Sequence, residues 1–199
     1  MRPKTFDQTE ALDAAMLQFW EAGYEGSSMQ NLVDRMGISR QSLYDTYGNK
    51  RELFEASLER YRSELIAPGI AAIKDPARTP LEAVRFYLTA AAEGGNGMPI
   101  GCLMVRTATE FSPEDAAISA IVGDCVRDVR DALRARIDEG QRSGEIDAIR
   151  SADDVAGAIV AWGMGLQVMR RLPRRGEAIR PSIDSLLTTL VPDVAEDIA

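Results

Sequence analysis

Five side chains that can hydrogen-bond to nucleic-acid bases or phosphates lie close together, at Arg40, Gln41, Ser42, Tyr44 and Thr46. Their guanidinium, amide and hydroxyl groups match the donors and acceptors that base edges and phosphates present. This grouping predicts a surface that contacts double-stranded DNA. The alternative is an ordinary helical hairpin whose polar face meets only solvent, and the residues alone leave both interpretations open.

The residues around this group predict two short helices joined by a tight turn. Ser27 is expected to cap the first helix, with Gln30 completing a capping box. Gly37 ends that helix in a left-handed turn, and Ser39 caps a second helix of barely two turns. The apolar residues that predict the buried sides are Leu32, Val33, Met36, Ile38, Leu43 and Tyr47. Such a helix-turn-helix lays its second helix in the DNA major groove.

This segment resembles the N-terminal domain of the tetracycline-repressor (TetR) family of bacterial transcriptional regulators. The matching residues are Gly23-Tyr24, Ser27-Ser28-Met29, Gly37-Ile38-Ser39, Ser42-Leu43-Tyr44, Asn49-Lys50 and Leu53. Two positions depart from the family pattern, since Thr46 stands where an aromatic residue or His is common and Tyr47 where Phe is common. Tyr47 can pack as Phe does, whereas the base preference is left open.

The resemblance implies a DNA-binding regulator, a repressor that a small apolar or electrophilic effector releases from a palindromic operator. The residues expected to contact DNA are Ser28, Gln30, Arg40, Gln41, Ser42, Tyr44, Thr46 and Lys50. Lys50, at the start of the next helix, is expected to meet a phosphate. Tyr44 is expected to contact the backbone or a thymine methyl group, while Arg40 and its two successors read bases.

The overall charge argues against a nucleic-acid partner, because the net charge of −8 has the same sign as DNA. The basic residues are unevenly placed, however. From Arg35 to Arg51 there are four basic residues and one acid, Asp45, and Arg2 and Lys4 lie on an expected flexible arm. Charges more than about 8 Å from the phosphates are largely screened at physiological salt. A local positive strip can therefore bind DNA on an acidic protein.

Several functional classes lack their characteristic residues in this chain. It has no histidine, Gly-rich phosphate loop, GxSxG motif or cysteine pair at metal-ligand spacing, so no enzyme, metal site or cofactor is predicted. Cys102 and Cys125 are expected to be thiols. No signal-peptide pattern is present, and the longest uncharged run, residues 155–169, is too short to span a bilayer. We expect a cytoplasmic protein with no membrane partner.

Helical periodicity continues through the rest of the chain, and no stretch alternates as a strand does. Helix starts are predicted at Asn49, with Glu52 completing a capping box, and at Thr79, Ser112 and Ser151. Helices are predicted over residues 7–22, 49–66, 112–144, 152–172 and 181–191. Pro68-Gly69 is expected to interrupt the second of these ranges. The fold is thus predicted to be all-α, with a helix-turn-helix DNA-binding domain at 1–48. A connector helix joins it to an effector-binding and dimerisation domain within 49–192, followed by a frayed tail at 193–199.

The predicted helix over residues 152–172 has two apolar faces. One carries large side chains, and the other carries Gly157, Ala161 and Gly165, which are spaced by four. Small residues allow another helix to approach closely, although each Gly costs a soluble helix about 1 kcal/mol relative to Ala. Packing within the chain and a four-helix homodimer interface with the last helix both explain the pattern. The TetR resemblance favours the homodimer.

An effector pocket is predicted between the body helices, because they carry more bulky, adaptable apolar side chains than a tight core needs. Its expected lining is Phe86, Met98, Cys102, Met104, Phe111, Trp162 and Met164. Gly101-Cys102-Leu103-Met104 resembles a stretch in TetR-family proteins, some of which detect oxidants or electrophiles with a cysteine. Cys102 is thus a reactive thiol or a small apolar filler. A helical dimer that binds a small molecule or a protein without DNA affinity is the alternative function.

Overall fold

A computed structural model describes residues 6–95, 97–172 and 179–192. Its α-helices are α1 (Gln8–Ala22), α2 (Met29–Met36), α3 (Arg40–Tyr47), α4 (Lys50–Tyr61), α5 (Ala67–Ile73), α6 (Pro80–Glu93), α7 (Leu103–Glu110), α8 (Ala116–Ser143), α9 (Ala152–Met169) and α10 (Ile179–Thr188). No strand occurs in these ranges, which confirms the all-α prediction. None of the helices in the described ranges is long and apolar enough to cross a membrane. The predicted arm with Arg2 and Lys4 and the predicted tail at 193–199 lie outside them.

Most helix ends follow local signals that the sequence carries. The side chains of Ser39, Thr79 and Ser151 accept hydrogen bonds from backbone N–H groups in the first turns of α3, α6 and α9. Asn49 and Glu52 form a reciprocal capping box at α4. Gly37 ends α2 with φ of 65°, in the left-handed region where glycine has no steric penalty. These predictions are confirmed.

The start of α2 differs from the prediction by one residue. Ser28 is the N-cap, and Asn31 completes its capping box. Ser27 cannot be the N-cap of α2, because it is buried and its hydroxyl donates to the Gly23 carbonyl oxygen at 2.6 Å. Gln30 instead donates to Asp34 on the next turn.

Three other boundaries were predicted wrongly. Pro68 does not end the helical segment, because it lies in the first turn of α5. A π-helical turn over Arg62–Ile66 directly precedes α5. This turn contains the carbonyls that the proline ring and its missing N–H would disturb in a regular α-helix. Helix α8 begins after Asp115, whose carboxylate accepts the Ile118 N–H, and not at Ser112. Helix α10 begins before Pro181 and ends at Thr188.

The chain divides into two compact units. The first unit comprises Met1–Pro68 and Pro99–Cys125, so the predicted domain boundary between residues 48 and 49 falls inside it. Its core is formed by α1 to α4, α7 and the start of α8. The largest fully buried side chains of this core are Phe19, Leu32, Leu43, Leu53, Phe54, Leu58, Leu103 and Ile118.

The second unit comprises Gly69–Met98 and Val126–Ala199. Helix α6 packs against α9 and α10 around a mainly aliphatic core. Gly163 faces Tyr87, whose ring leaves no room for a β-carbon, so this glycine serves close packing inside the unit. Gly165, by contrast, has no neighbouring atom within 4 Å of its β-carbon position. The predicted small-residue face of α9 is therefore exposed at Ala161 and Gly165, whereas Gly157 is half-buried beside the Arg130 guanidinium.

Candidate nucleic-acid interface

Helix α3 is held by its apolar side and leaves its polar side uncovered. Leu43 is fully buried, and the Tyr47 hydroxyl donates to the Gln8 carbonyl oxygen at 2.7 Å. These two contacts fix the rotation of α3 against α1, because positions four apart lie on the same side of a helix. The opposite side meets solvent with Arg40, Gln41 and Tyr44, as the sequence predicted.

The exposed side of α3 consists of two rows of side chains. The Arg40 guanidinium carbon lies 6.0 Å from the centre of the Tyr44 ring, a cation–π arrangement that leaves Tyr44 44% exposed. In the adjacent row, the Gln41 side-chain amide donates to the Asp45 carboxylate at 2.7 Å. A short helix with an exposed polar side of this kind can enter a major groove.

Two predicted DNA-binding residues of α3 are placed differently. The Thr46 hydroxyl is buried without a hydrogen-bond partner among the described residues, because its position around the helix adjoins that of the buried Leu43, on the side away from Tyr47. Thr46 therefore cannot offer its hydroxyl to DNA. Ser42 is half-buried, and its hydroxyl shares a 2.9 Å hydrogen bond with the Ser39 hydroxyl.

Helix α2 presents two predicted contacts whose polar groups already have partners. The Ser28 hydroxyl bonds to the Asn31 side chain at 2.5 Å, and the Gln30 amide bonds to Asp34 at 2.8 Å. Both residues are exposed. They can reach DNA without unfolding the helix, since exposed side-chain hydrogen bonds exchange readily for bonds to another partner.

Lys50 occupies the first turn of α4, where backbone N–H groups and the helix dipole favour an anion. Its ammonium nitrogen lies 4.1 Å from the centre of the Tyr24 ring. Of the four basic residues from Arg35 to Arg51, Arg35 pairs with Glu21 and Arg51 pairs with Asp115. Lys50 and Arg40 have no ion pair within the described part of the chain, so these two supply the positive charge available to phosphates.

Helix α7 contacts the end of α1 through two charged side chains that sequence reasoning missed. The Arg106 guanidinium donates to the carbonyl oxygens of Glu21 and Ala22 at 3.1 and 2.7 Å. Glu110 accepts the Tyr24 N–H at 2.7 Å and also pairs with Arg106. We call this set of hydrogen bonds the α7–α1 contact. It satisfies carbonyls at the C-terminus of α1 that have no partner within the helix.

A second contact joins the start of α4 to the residue before α8. Both terminal nitrogens of Arg51 donate to the Asp115 carboxylate at 2.6 Å. This hydrogen bonding lowers the pKa of Asp115 to about 2. The Phe111 ring lies beside this pair and stacks on Phe54, with ring centres 5.3 Å apart.

Cys102 immediately precedes α7 and is half-buried. The Tyr61 hydroxyl donates to its sulfur at 3.4 Å. Burial raises the pKa of Tyr61 well above its ordinary value, so this hydroxyl keeps its proton. Cys125 is buried in the core of the first unit, as expected of an apolar filler.

The seven predicted effector-binding residues are divided between the two units. Cys102, Met104 and Phe111 lie in the first unit, while Phe86, Met98, Trp162 and Met164 belong to the second. Phe86 and Met164 pack against the core of the second unit. Met98 and Trp162 are 42% and 41% exposed.

One cavity of about 520 Å³ lies within the second unit and has a charged wall. Arg85 pairs with Asp184 at 2.6 Å, and Arg180 pairs with Glu93 at 2.5 Å, so the charges of the wall join α6 to α10. None of the seven predicted effector residues contributes to the wall. An apolar effector is a poor match for these side chains.

The first unit thus defines a helix-turn-helix protein with a polar, partly cationic recognition helix. Sequence profiles agree: that of the bacterial regulatory proteins of the tetR family matches residues 11–57, and that of the tetracyclin repressor-like C-terminal domain matches residues 77–186. The chain therefore belongs to the TetR family. Proteins of this family are transcriptional regulators and not enzymes.

Named relatives support the assignment. The HTH-type transcriptional repressor ComR of Escherichia coli (strain K12) is 36% identical over 120 residues, which cover 59% of this chain and 57% of ComR. The HTH-type regulator YezE of Bacillus subtilis (strain 168) is 35% identical over 159 residues, 72% of this chain and 77% of YezE. A cysteine mutant of the TetR family regulator CifR, solved with a 26-bp operator duplex, is 28% identical in sequence to this chain. That structure has a TM-score of 0.82, over 96% of this chain and 100% of the CifR chain.

Proposed function

We propose that this protein is a homodimeric repressor whose α3 helices read a palindromic operator and whose DNA affinity falls when an effector reacts with Cys102. Residues 1–48 contact DNA together with Lys50 at the start of α4, and the rest of residues 49–192 supplies the effector response and the dimer contact. The observation that carries the proposal is the uncovered side of α3, with Arg40, Gln41 and Tyr44 turned to solvent next to Lys50. Such a protein acts in the cytoplasm, where the bacterial chromosome lies.

The proposed contacts divide by chemistry. Arg40 and Gln41 read base edges, and Tyr44 meets the backbone or a thymine methyl group. Lys50 binds a phosphate through its ammonium group, because the Arg51 and Glu52 N–H groups at the start of α4 already donate to the Asn49 side chain. Ser28 and Gln30 approach the same groove from α2. Ser42 has a supporting role, because its hydroxyl is engaged with Ser39.

The proposed dimer contact is the open face of α9. Val168 is 49% exposed, and Trp162 and Met169 flank the small residues Ala161 and Gly165 along the same face. Large apolar side chains grouped around a strip of small ones are typical of a helix that a second helix covers. Two-fold symmetry then places two α3 helices on successive major grooves.

The proposed effector is a small electrophile with an activated carbon–carbon double bond. The Cys102 thiol adds across that bond, forming a sulfur–carbon bond while its proton goes to the other carbon, so nothing leaves. The sulfur and the Tyr61 hydroxyl are 3.4 Å apart and leave no room for an added group, so the addition displaces the start of α7. Two mutants of one relative, CifR, in which cysteines are replaced, were solved with operator DNA, which is consistent with cysteines that are not needed for DNA binding.

The proposed route from Cys102 to DNA runs through the α7–α1 contact. Arg106 lies one turn after Cys102 and holds the end of α1. Glu110 holds the Tyr24 backbone, and the Tyr24 ring lies against Lys50. A shift of α7 therefore moves the group that positions the proposed phosphate contact, and the effector lowers affinity in proportion to its preference for the shifted state.

The test is a gel-shift titration with duplexes from the DNA flanking the protein's own gene, before and after treatment with N-ethylmaleimide. We expect sequence-selective binding that falls at least about 10-fold after treatment, a coupling within the usual range. Cys102→Ser should bind DNA and resist the reagent, whereas the matched control Cys125→Ser should respond as the wild type does. Equal loss in Cys102→Ser would contradict the assigned effector site, and failure to prefer any flanking duplex would contradict the repressor.

A further inference from the structure

Asp45 is an acidic side chain on the side of α3 that faces DNA in the proposed function. It is exposed, and it lies four residues after Gln41, so both belong to the same row of the helix. The Gln41 amide donates a hydrogen bond to it at 2.7 Å, and no Lys or Arg in the described ranges forms an ion pair with it. A carboxylate in this position is repelled by phosphates and weakens binding to every duplex unless it meets a hydrogen-bond donor.

The Gln41–Asp45 hydrogen bond orients Asp45, which is the anionic acceptor of this row. One of the two Gln41 amide hydrogens donates to Asp45, so the second Gln41 N–H, the Gln41 carbonyl oxygen and the free carboxylate oxygen of Asp45 remain for other partners. The neighbouring row has the opposite character, since Arg40 can only donate hydrogen bonds. Helix α3 thus presents the donor Arg40 in one row and the acceptor Asp45 in the next, and we call these the donor row and the acceptor row.

Major-groove donors are few, and that limits what an acceptor row can read. Cytosine offers its N4 amino group and adenine its N6 amino group, whereas guanine and thymine present only acceptors at the equivalent positions. A carboxylate placed against the O6 and N7 atoms of guanine or the O4 atom of thymine is unfavourable. Asp pairs with cytosine N4 in known recognition chemistry.

We propose that Asp45, oriented by Gln41, is a specificity-determining residue that selects a base with a major-groove amino group, cytosine first, at one position of each operator half-site. The inference rests on the proposed function, because it requires α3 to enter the major groove. The negative charge of Asp45 lowers affinity for the phosphate backbone of every duplex. It raises selectivity, because it disfavours guanine and thymine at that position.

The experiment is an in vitro selection from randomised duplexes with the full-length chain and the variants Asp45→Asn and Gln41→Ala. We expect the wild type to select cytosine at one position per half-site. In Asp45→Asn that preference should fall at least about 10-fold and shift towards adenine, because an Asn amide pairs with adenine N6 and N7. Affinity for random duplexes should rise, since a negative charge has been removed. Gln41→Ala should weaken the same preference without raising affinity for random duplexes.

The matched control is Glu59→Gln, which removes one exposed negative charge from α4 in the same unit. It should leave base preference at every position unchanged. Circular dichroism should show that each variant is folded, because the substituted residues Gln41, Asp45 and Glu59 are all exposed. An Asp45→Asn variant with the wild-type preference at all positions would overturn the inference and leave the repressor standing. A wild-type chain that selects no sequence would overturn the proposed function and this inference with it.

Discussion

Helices α3 and α9 both leave one side uncovered, but the chemistry of the two sides is opposite. Helix α3 turns Arg40, Gln41 and Asp45 outward, whereas α9 turns Trp162, Val168 and other apolar residues outward. Both helices hide apolar residues on the inner side, so amphipathicity alone does not distinguish them. The uncovered side is what identifies the partner. Polar rows suit base edges and phosphates, and an apolar strip with small residues suits another helix.

The largest effect is expected from a charge on the apolar side of α9. Val168→Glu should prevent the dimer and lower operator affinity at least about 100-fold, because two-fold symmetry places two carboxylates in one desolvated interface. Analytical ultracentrifugation and operator titration measure both changes. The matched control is Ile149→Glu, since Ile149 is 84% exposed and lies outside α9. A dimeric Val168→Glu variant would show that α9 is not the interface.

A selective effect is expected from the donor row of α3. Arg40→Ala should relax discrimination at one or two base pairs, each by about 1–3 kcal/mol, because a guanidinium that reads a base edge is lost. Competition between operators with single base changes measures this. An unchanged order of preference among those operators would remove Arg40 from the base readers.

A smaller and uniform effect is expected at the start of α4. Lys50→Ala should weaken binding to all duplexes alike and reduce the slope of log affinity against log salt by about 1, because one phosphate contact is lost. Titrations at several salt concentrations measure the slope. Lys74→Ala is the matched control, since Lys74 is exposed and belongs to the second unit. A changed base preference with full affinity would be incompatible with a phosphate contact.

The smallest effect separates the inner from the outer side of α3. Thr46→Val should leave DNA binding unchanged and change stability by no more than about 1 kcal/mol, with stabilisation the expected sign. It preserves the shape of the side chain and removes a buried hydroxyl that has no partner in the described ranges. Urea denaturation and operator titration together test this. Loss of operator affinity would show that the hydroxyl turns outward in the complex.

Local signals in the sequence were sufficient for much of the fold. The caps at Ser39, Asn49 and Ser151 were predicted because each cap uses residues within one turn. The start of α2 was not, since Ser27 and Ser28 are equivalent locally and a hydrogen bond to Gly23 decides between them. The helix continues through Pro68 because a π-helical turn precedes it, and no local residue pattern marks that turn.

The candidate site was predictable only in part, because some of its contacts join residues that are far apart in the sequence. The outward residues of α3 follow from helical phase, and that phase also explains the inward Thr46, which was overlooked. The α7–α1 contact joins residues more than 80 positions apart, such as Arg106 and Ala22. Nothing local marks Arg106 or Glu110 as different from an ordinary exposed pair.

The most direct test of the central claim, that α3 is the surface that meets DNA, is backbone hydrogen–deuterium exchange with and without an operator duplex chosen by the selection experiment. The account predicts added protection in residues 39–50 and unchanged exchange in residues 152–169, because the dimer contact is already made before DNA binds. Protection confined to α9, or no added protection over residues 39–50 while the duplex is bound, would contradict it.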